Sequence, residues 1–267
     1  GEPAATAGAS KGFSVVMDLQ AEYADATGNE SGFPMSSTFV KGSLAANKTF
    51  VDALLAVLEE NVTYITENAA SMTQLLQGAG STSAYPAASI PRCNVGVYPA
   101  ASVKADVNDM LKVLNDVENV PDSVYYDETQ ATEQGNGSGV LQLYVPDGAP
   151  ALAVAKLIAE EGTLTVAGYT VEVNIVPANT IAAHIAQGDG DIVIMPANGG
   201  ANLIVKGADY KFLCSNTRGI LYMISTSEGS VSPEDLAGKT VGCIGQNAVP
   251  QYAFERILTA NGLVTEK

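Results

Sequence analysis

The sequence predicts an α/β protein with a parallel or mixed sheet, and three observations carry that reading. From Val140 onward, short apolar runs alternate with amphipathic ones, the pattern of strand–helix–strand units. The runs 191–195 and 240–244 are apolar at successive positions, as in strands covered by helices on both faces. A long strand-like run, 210–227, is interrupted by Asn216-Thr-Arg-Gly219, so it is expected to leave one sheet and enter another, as a hinge does.

Taken along the chain, 13–19 and 35–41 read as strands, being runs of Val, Met, Phe and Thr with few breakers. The stretch 47–68 reads as a long helix because Phe50, Leu54, Val57, Leu58 and Ile65 recur near helical spacing. Shorter helices are expected at 71–78 and 102–115. After a polar tract come strand 141–145, helix 150–161, strand 169–175, helix 179–187, strand 191–195 and helix 200–207. Ser232-Pro-Glu-Asp-Leu-Ala-Gly supplies a cap, a proline at the first helical position, acids in the first turn and a glycine stop. Strand 240–244 and helix 251–261 complete the series.

The polar tract disturbs the order. Glu128-Thr-Gln-Ala-Thr-Glu-Gln-Gly-Asn-Gly-Ser-Gly139 has no aliphatic side chain larger than alanine and reads as a tether. The segment that begins at Val140 reads as the first strand, loop and helix of a domain. Gly1-Glu-Pro-Ala-Ala-Thr-Ala, in contrast, reads as a turn from inside a domain, without Met, charged leader or apolar signal core. A reordered chain is the expectation.

Composition narrows the function. With 267 residues and 46% hydrophobic content the chain can bury a large core. Thirteen Lys and Arg against 29 acids, a net charge of −16, exclude nucleic acid as a partner, because phosphate binding is driven by cations. No run approaches the ~18 apolar residues of a spanning helix. Cys93, Cys214 and Cys243 are far apart and lack metal spacing, and they are expected to be buried thiols.

Catalysis finds little support. The single histidine, His184, is expected on a solvated helix face, and no Gly-x-Ser-x-Gly elbow presents a serine to it. There is no His/Cys metal cluster, Walker loop or Gly-x-Gly-x-x-Gly fingerprint. No catalytic residue, metal or cofactor is therefore assigned.

Four motifs together resemble the type II solute-binding proteins of ABC importers, in the branch that binds thiamine precursors, sulfonates and nitrate. They are Tyr144-Val-Pro-Asp-Gly-Ala-Pro-Ala-Leu-Ala, Ile185-Ala-Gln-Gly-Asp-Gly-Asp-Ile-Val-Ile-Met-Pro-Ala-Asn, Asp235-Leu-Ala-Gly-Lys-Thr-Val-Gly, and Gly1-Glu-Pro-Ala-Ala-Thr-Ala. The resemblance implies a two-lobe type II periplasmic-binding-protein architecture with a hinge, circularly permuted here. Second-lobe parts would be 1–38 and 219–267, first-lobe parts 39–127 and 140–218, and 128–139 the linker between old termini. It also implies a further strand, helix and strand in the second lobe that this sequence does not supply.

Ligands of open α/β sheets collect outside the carboxyl ends of strands. That rule selects Asp147, Gly148 and Ala149, Asn198 and Gly199, and Gln246 and Asn247. The resemblance adds Glu2 and Thr6, and Asn216 and Thr217 are candidates for the floor near the crossing. Local roles compete: Asp147 and Asn247 as helix caps, Gly199 and Gly200 as turn formers, and Glu2 as a brace for its own loop. Phe33 and Tyr23 read as stacking or core residues, and Arg92 as a ligand partner or a hinge ion pair. The expected function is capture of a small polar, nitrogen-bearing ligand by a monomer for delivery to ABC importer membrane subunits, in an extracytoplasmic setting. An engineered permutant serving as a sensor scaffold, a pyrimidine-related enzyme of the same fold and a permuted fragment with little binding are the alternatives.

Overall fold

The computed structural model describes residues 1–30, 32–245 and 248–265. The chain begins with helix α1 (Ala4–Gly8) and strand β1 (Ser14–Asp18). Asp18 then caps α2 (Leu19–Thr27), its Oδ1 accepting from the Gln20 amide at 2.9 Å, and Gly28 closes that helix at φ 72°. β2 (Ser36–Lys41), α3 (Gly42–Ala45), α4 (Lys48–Glu67), α5 (Met72–Gly78), β3 (Val95–Pro99) and α6 (Ala100–Asn115) come next. Beyond the polar tract come β4 (Val140–Pro146), α7 (Ala149–Leu152), α8 (Ala155–Ala159), β5 (Thr165–Val166), β6 (Tyr169–Val176) and α9 (Ile181–Gln187). The remainder is β7 (Ile192–Pro196), α10 (Ala197–Val205), β8 (Tyr210–Thr217), β9 (Tyr222–Ser225) and α11 (Val249–Ala260).

The fold is α/β, with a mixed seven-stranded sheet in the order β3-β8-β2-β7-β4-β6-β5. Its centre, β6-β4-β7, is parallel, as the alternating grammar predicts, whereas β2 runs antiparallel to both β7 and β8. Helices cover both faces: Phe50, Leu54 and Leu58 of α4 pack with Leu143 and Ile192 on one, and Val103 and Val107 of α6 with Phe39 and Phe212 on the other. The helix expected at 150–161 is broken between α7 and α8. Asn61, 1% exposed, spans the break, donating to the Leu152 carbonyl and accepting from the Lys156 amide, both at 2.9 Å. Those bonds satisfy backbone groups that a continuous helix would have paired internally.

β1 and β9 form a separate antiparallel ribbon. Met17, Tyr23, Phe33 and Leu221 pack there with Tyr252, Phe254 and Ile257 of α11, and with Met110 of α6. The chain passes between sheet and ribbon twice, side by side. Met35 N donates to Thr217 O at 2.9 Å, Gly219 N donates to Phe33 O at 3.0 Å, and Pro34 bridges to Arg218. The polar break at Asn216-Thr-Arg-Gly219 is thus where β8 leaves the large sheet and β9 enters the small one.

Three further expectations are corrected. Residues 240–244 form no strand: the run is irregular, and no strand pairs with it among the described residues. Cys243 on that run is consequently exposed, while Cys93 and Cys214 are buried as expected. The tract 128–139 has largely exposed side chains, yet its backbone is held. Lys48 N donates to Thr132 O at 2.9 Å, Asn47 Nδ2 to Gly135 O at 3.1 Å, and Gly137 N to Ala167 O at 2.9 Å.

Helix α10 lies so close to β2 that a Cβ at Gly200 would sit 2.2 Å from the Phe39 ring, which is fully buried and stacked edge-on against Phe212. Alanine has the better helix propensity by about 1 kcal/mol, but overpacking a rigid core costs about 1–3 kcal/mol. Gly200→Ala is expected to lower the urea midpoint of unfolding; an unchanged or raised midpoint would show that the Phe39 contact yields freely.

Candidate functional site

Because β7 and β8 are each antiparallel to β2, they run parallel to one another, so β4, β6, β7 and β8 all end on one edge of the sheet. Asp147, Asn198, Asn216 and Thr217 reach that edge, and β2 begins there with Ser36 and Ser37. Three strand spacings, about 14 Å, separate the end of β4 from the end of β8.

The β2–β8 end of this edge is polar and closed. Ser36, Ser37, Thr38, Ser215, Asn216 and Thr217 are each 3% exposed or less. Thr38 Oγ1 donates to Asn216 Oδ1 at 2.7 Å, the Ser36 and Thr217 hydroxyls lie 2.7 Å apart, and Ser215 Oγ donates to Ser36 O at 3.1 Å. Ser37 Oγ has no partner among the described residues. On α10, Asn198 Nδ2 donates to Asn115 Oδ1 at 3.2 Å, but the buried Oδ1 of Asn198, and that of Asn202 one turn later, have no partner among the described residues. An unpaired buried polar atom costs about 1–3 kcal/mol, and few are tolerated without a role. Gly199 lies in the first turn of α10, where a Cβ would sit 3.2 Å from the Met195 side chain.

Asp147 has a different task. Its carboxylate accepts from Ser81 Oγ at 2.5 Å, Thr82 Oγ1 at 2.6 Å, Thr82 N at 2.9 Å, Tyr85 OH at 3.2 Å and Gly148 N at 2.8 Å. Burial by itself would raise its pKa, but the Ser81 and Thr82 hydroxyls and the Thr82 amide outweigh that and hold it well below the usual carboxylate range. Gly148, at φ 106°, turns the chain into α7, and Ala149 is buried at its start. Asp147 therefore locks the loop after β4 to the loop after α5, with its acceptor positions filled by the protein.

Glu2 is likewise engaged internally. It is 4% exposed and accepts from Thr6 N at 3.0 Å, Thr6 Oγ1 at 2.9 Å and Arg92 Nε at 2.9 Å. Arg92 also lies over the Tyr222 ring, 4.1 Å from its centroid. Of the two roles weighed for Arg92, the ion pair is the one present.

Arg218 and Arg256 repeat the arrangement without having been singled out by sequence. Arg218, 4% exposed, donates to Gly32 O at 2.6 Å and to Asp106 Oδ2 at 3.0 Å, and lies 5.4 Å from the Tyr98 centroid. Arg256 and Tyr252 of α11 both donate to Asp109 Oδ2 of α6. The signal available was that the chain has only three arginines, one of them inside the polar break. Phe33 and Tyr23 are core residues in edge-to-face contact at 5.0 Å. His184 is only partly solvated: its side chain is 18% exposed, stacks on Tyr144 at 3.6 Å, and has Nδ1 3.0 Å from Asp189.

Gln246 and Asn247 lie outside the described residues. No cluster of three or more His, Cys, Asp or Glu with metal-binding geometry occurs among the described residues. No helix among them is long and apolar enough to cross a membrane.

A carboxylate with a depressed folded pKa contributes stability that is fully present above its unfolded pKa, near 4, and lost as pH falls through the folded value. Asp147→Asn is expected to lower the melting temperature by roughly 4 °C at pH 7. The gap to wild type should stay constant down to about pH 5 and close below about pH 4; a gap that widens on acidification would contradict the lock. Comparison with known proteins returns no match, either to a family model or to a curated protein.

Proposed function

We propose that this chain is a solute-binding protein of the type II kind, permuted in order, in which two lobes close on a small polar ligand. One lobe is the seven-stranded sheet with its helices, and the other is the ribbon with α2 and α11. The observation that carries the reading is the double crossing at 33–35 and 217–219, which joins the two parts through adjacent strands next to a buried polar floor. Two short adjacent connections permit rotation of one body against the other about a single axis. Ser37 Oγ, Asn198 Oδ1 and Asn202 Oδ1 lack partners among the described residues and suit a ligand bearing N–H groups. Asn216 and Thr217 belong to that floor, whereas Asp147, Glu2 and Thr6 hold the loops around it. In this reading the native setting is extracytoplasmic and the receiving partner is an ABC importer's membrane subunit.

Ligand affinity tests the reading directly. At a hundredfold excess over Kd, a ligand that binds only the folded state adds about 2.7 kcal/mol of stability, about 5–10 °C for a chain of this size. A thermal-shift series across amines, pyrimidines and sulfonates is expected to give such a rise with an amine or pyrimidine, diminished at least tenfold in affinity by Asn198→Ala. No rise with any class, or turnover of a bound pyrimidine, would overturn it.

A further inference from the structure

Asn198 uses only half of its carboxamide. The residue is 5% exposed, and the one hydrogen bond of its side chain among the described residues runs from Nδ2 to Asn115 Oδ1 at 3.2 Å, while Oδ1 has no partner there. Asn202 stands one turn on along the same stripe of α10, with a buried Oδ1 that is likewise unpartnered. Ser37, fully buried, shares the face of β2 that carries Phe39, and Phe39 packs with α6 and α10. Three unpaired oxygens therefore border the place where α6, α10 and β2 meet, and Asn115, the last residue of α6, reaches into it.

Helix α6 serves both parts of the molecule. Val103 and Val107 pack on the sheet, whereas Met110 and Leu114 pack with the ribbon and α11. Asp106 and Asp109 tie the helix to Arg218 at the crossing and to Arg256 of α11. A rotation of ribbon against sheet accordingly moves the end of α6 relative to α10, and with it the bond between Asn115 and Asn198.

We propose that Asn115 is an internal stand-in for part of the ligand: it holds Asn198 Nδ2 until it is displaced by a solute that carries a carbonyl next to an N–H, the edge of a lactam or a carboxamide. This rests on the two-lobe reading and adds to it the edge that the ligand must present. A carboxamide sets its donor and acceptor side by side, so its full partner has an acceptor and an N–H side by side as well. Asn115 supplies the acceptor alone. A lactam edge satisfies both halves of Asn198, and further N–H groups on the same solute serve Asn202 Oδ1 and Ser37 Oγ. A solute with acceptors only, such as nitrate or a sulfonate, leaves the Asn198 oxygen unpaired and is disfavoured. Because Asn115 competes for Asn198, the apparent affinity is reduced to the fraction of molecules in which its side chain stands aside.

The probes are 2-pyridone, a lactam, and N-methyl-2-pyridone, which keeps the carbonyl and lacks the N–H. Each is titrated into the intact wild-type chain, Asn115→Ala and Asn115→Asp, with affinity read from amide shifts by NMR. Asn115→Ala is expected to bind 2-pyridone about tenfold more tightly than wild type, since the competitor is gone. Asn115→Asp, whose carboxylate accepts from Asn198 Nδ2 more strongly, is expected to bind it about tenfold more weakly. Opposite shifts from the two substitutions are not what a packing role for residue 115 gives. Equal affinity in wild type and Asn115→Ala, or a shift in the same direction in both variants, would overturn the stand-in and leave capture between two lobes in place. Equal binding of the N-methylated probe would overturn the lactam edge. Binding of neither probe by any of the three proteins would overturn the inference as a whole, and the amine and pyrimidine series decides separately whether the two-lobe reading falls with it.

Discussion

The junction between sheet and ribbon depends on how this acidic chain places its three arginines. Arg92 pairs with Glu2, Arg218 with Asp106 and Arg256 with Asp109, and in each pair one partner belongs to the large sheet or its helices and the other packs with the ribbon or enters it from the crossing. Each guanidinium also lies over a tyrosine ring. Guanidinium suits this task because its planar donors serve a carboxylate and a carbonyl at once while its face stacks on an aromatic ring. The pairs are unequal. Arg256 and Asp109 are each about two-fifths exposed and solvent screens them, whereas Arg218 is 4% exposed and Glu2 is fully covered. The buried pairs contribute little net stability relative to apolar packing, but losing one member leaves a charge without compensation, at a cost of about 3–5 kcal/mol. They act more as specifiers of one arrangement than as adhesive.

That arrangement determines what the crossing can be. With Arg218 anchored to Gly32 O on the neighbouring crossing strand, 33–35 and 217–219 stay in register, and the hydroxyl and amide groups of Ser36, Thr38, Ser215, Asn216 and Thr217 satisfy one another. Asn198 and Ser37 are brought to the same edge with acceptor or hydroxyl capacity left over. Asp147 and Glu2 are held by several donors each, so the loops that carry them are fixed by the protein itself.

The alternation of apolar and amphipathic runs after Val140 made the parallel centre of the sheet legible, and the polar Asn216-Thr-Arg-Gly219 marked where the chain changes sheets. Features that depend on a partner distant in sequence were not legible. Residues 240–244 have the pattern of a buried strand, but pattern does not disclose whether a neighbouring strand exists to receive it. The tract 128–139 has no apolar content, and composition is silent about backbone bonds to Asn47 and Ala167. Asp147 was legible as a polar group at a strand end, and Glu2 was selected by the resemblance alone; the donors that occupy them include Ser81, Thr82 and Arg92, residues whose proximity only the tertiary fold creates. The surroundings of His184 were hidden for the same reason, since Tyr144 stands forty residues earlier.

The measurement that bears most directly on the central claim is a double-mutant cycle across the buried pair at the crossing, with Arg218→Met, Asp106→Asn and the double variant compared by denaturant unfolding. If the pair specifies the junction, each single variant loses about 3 kcal/mol or more, and the double loses less than their sum by at least about 1 kcal/mol. Additivity to within about 0.5 kcal/mol would mean that the two residues act independently and that the junction is held by other contacts.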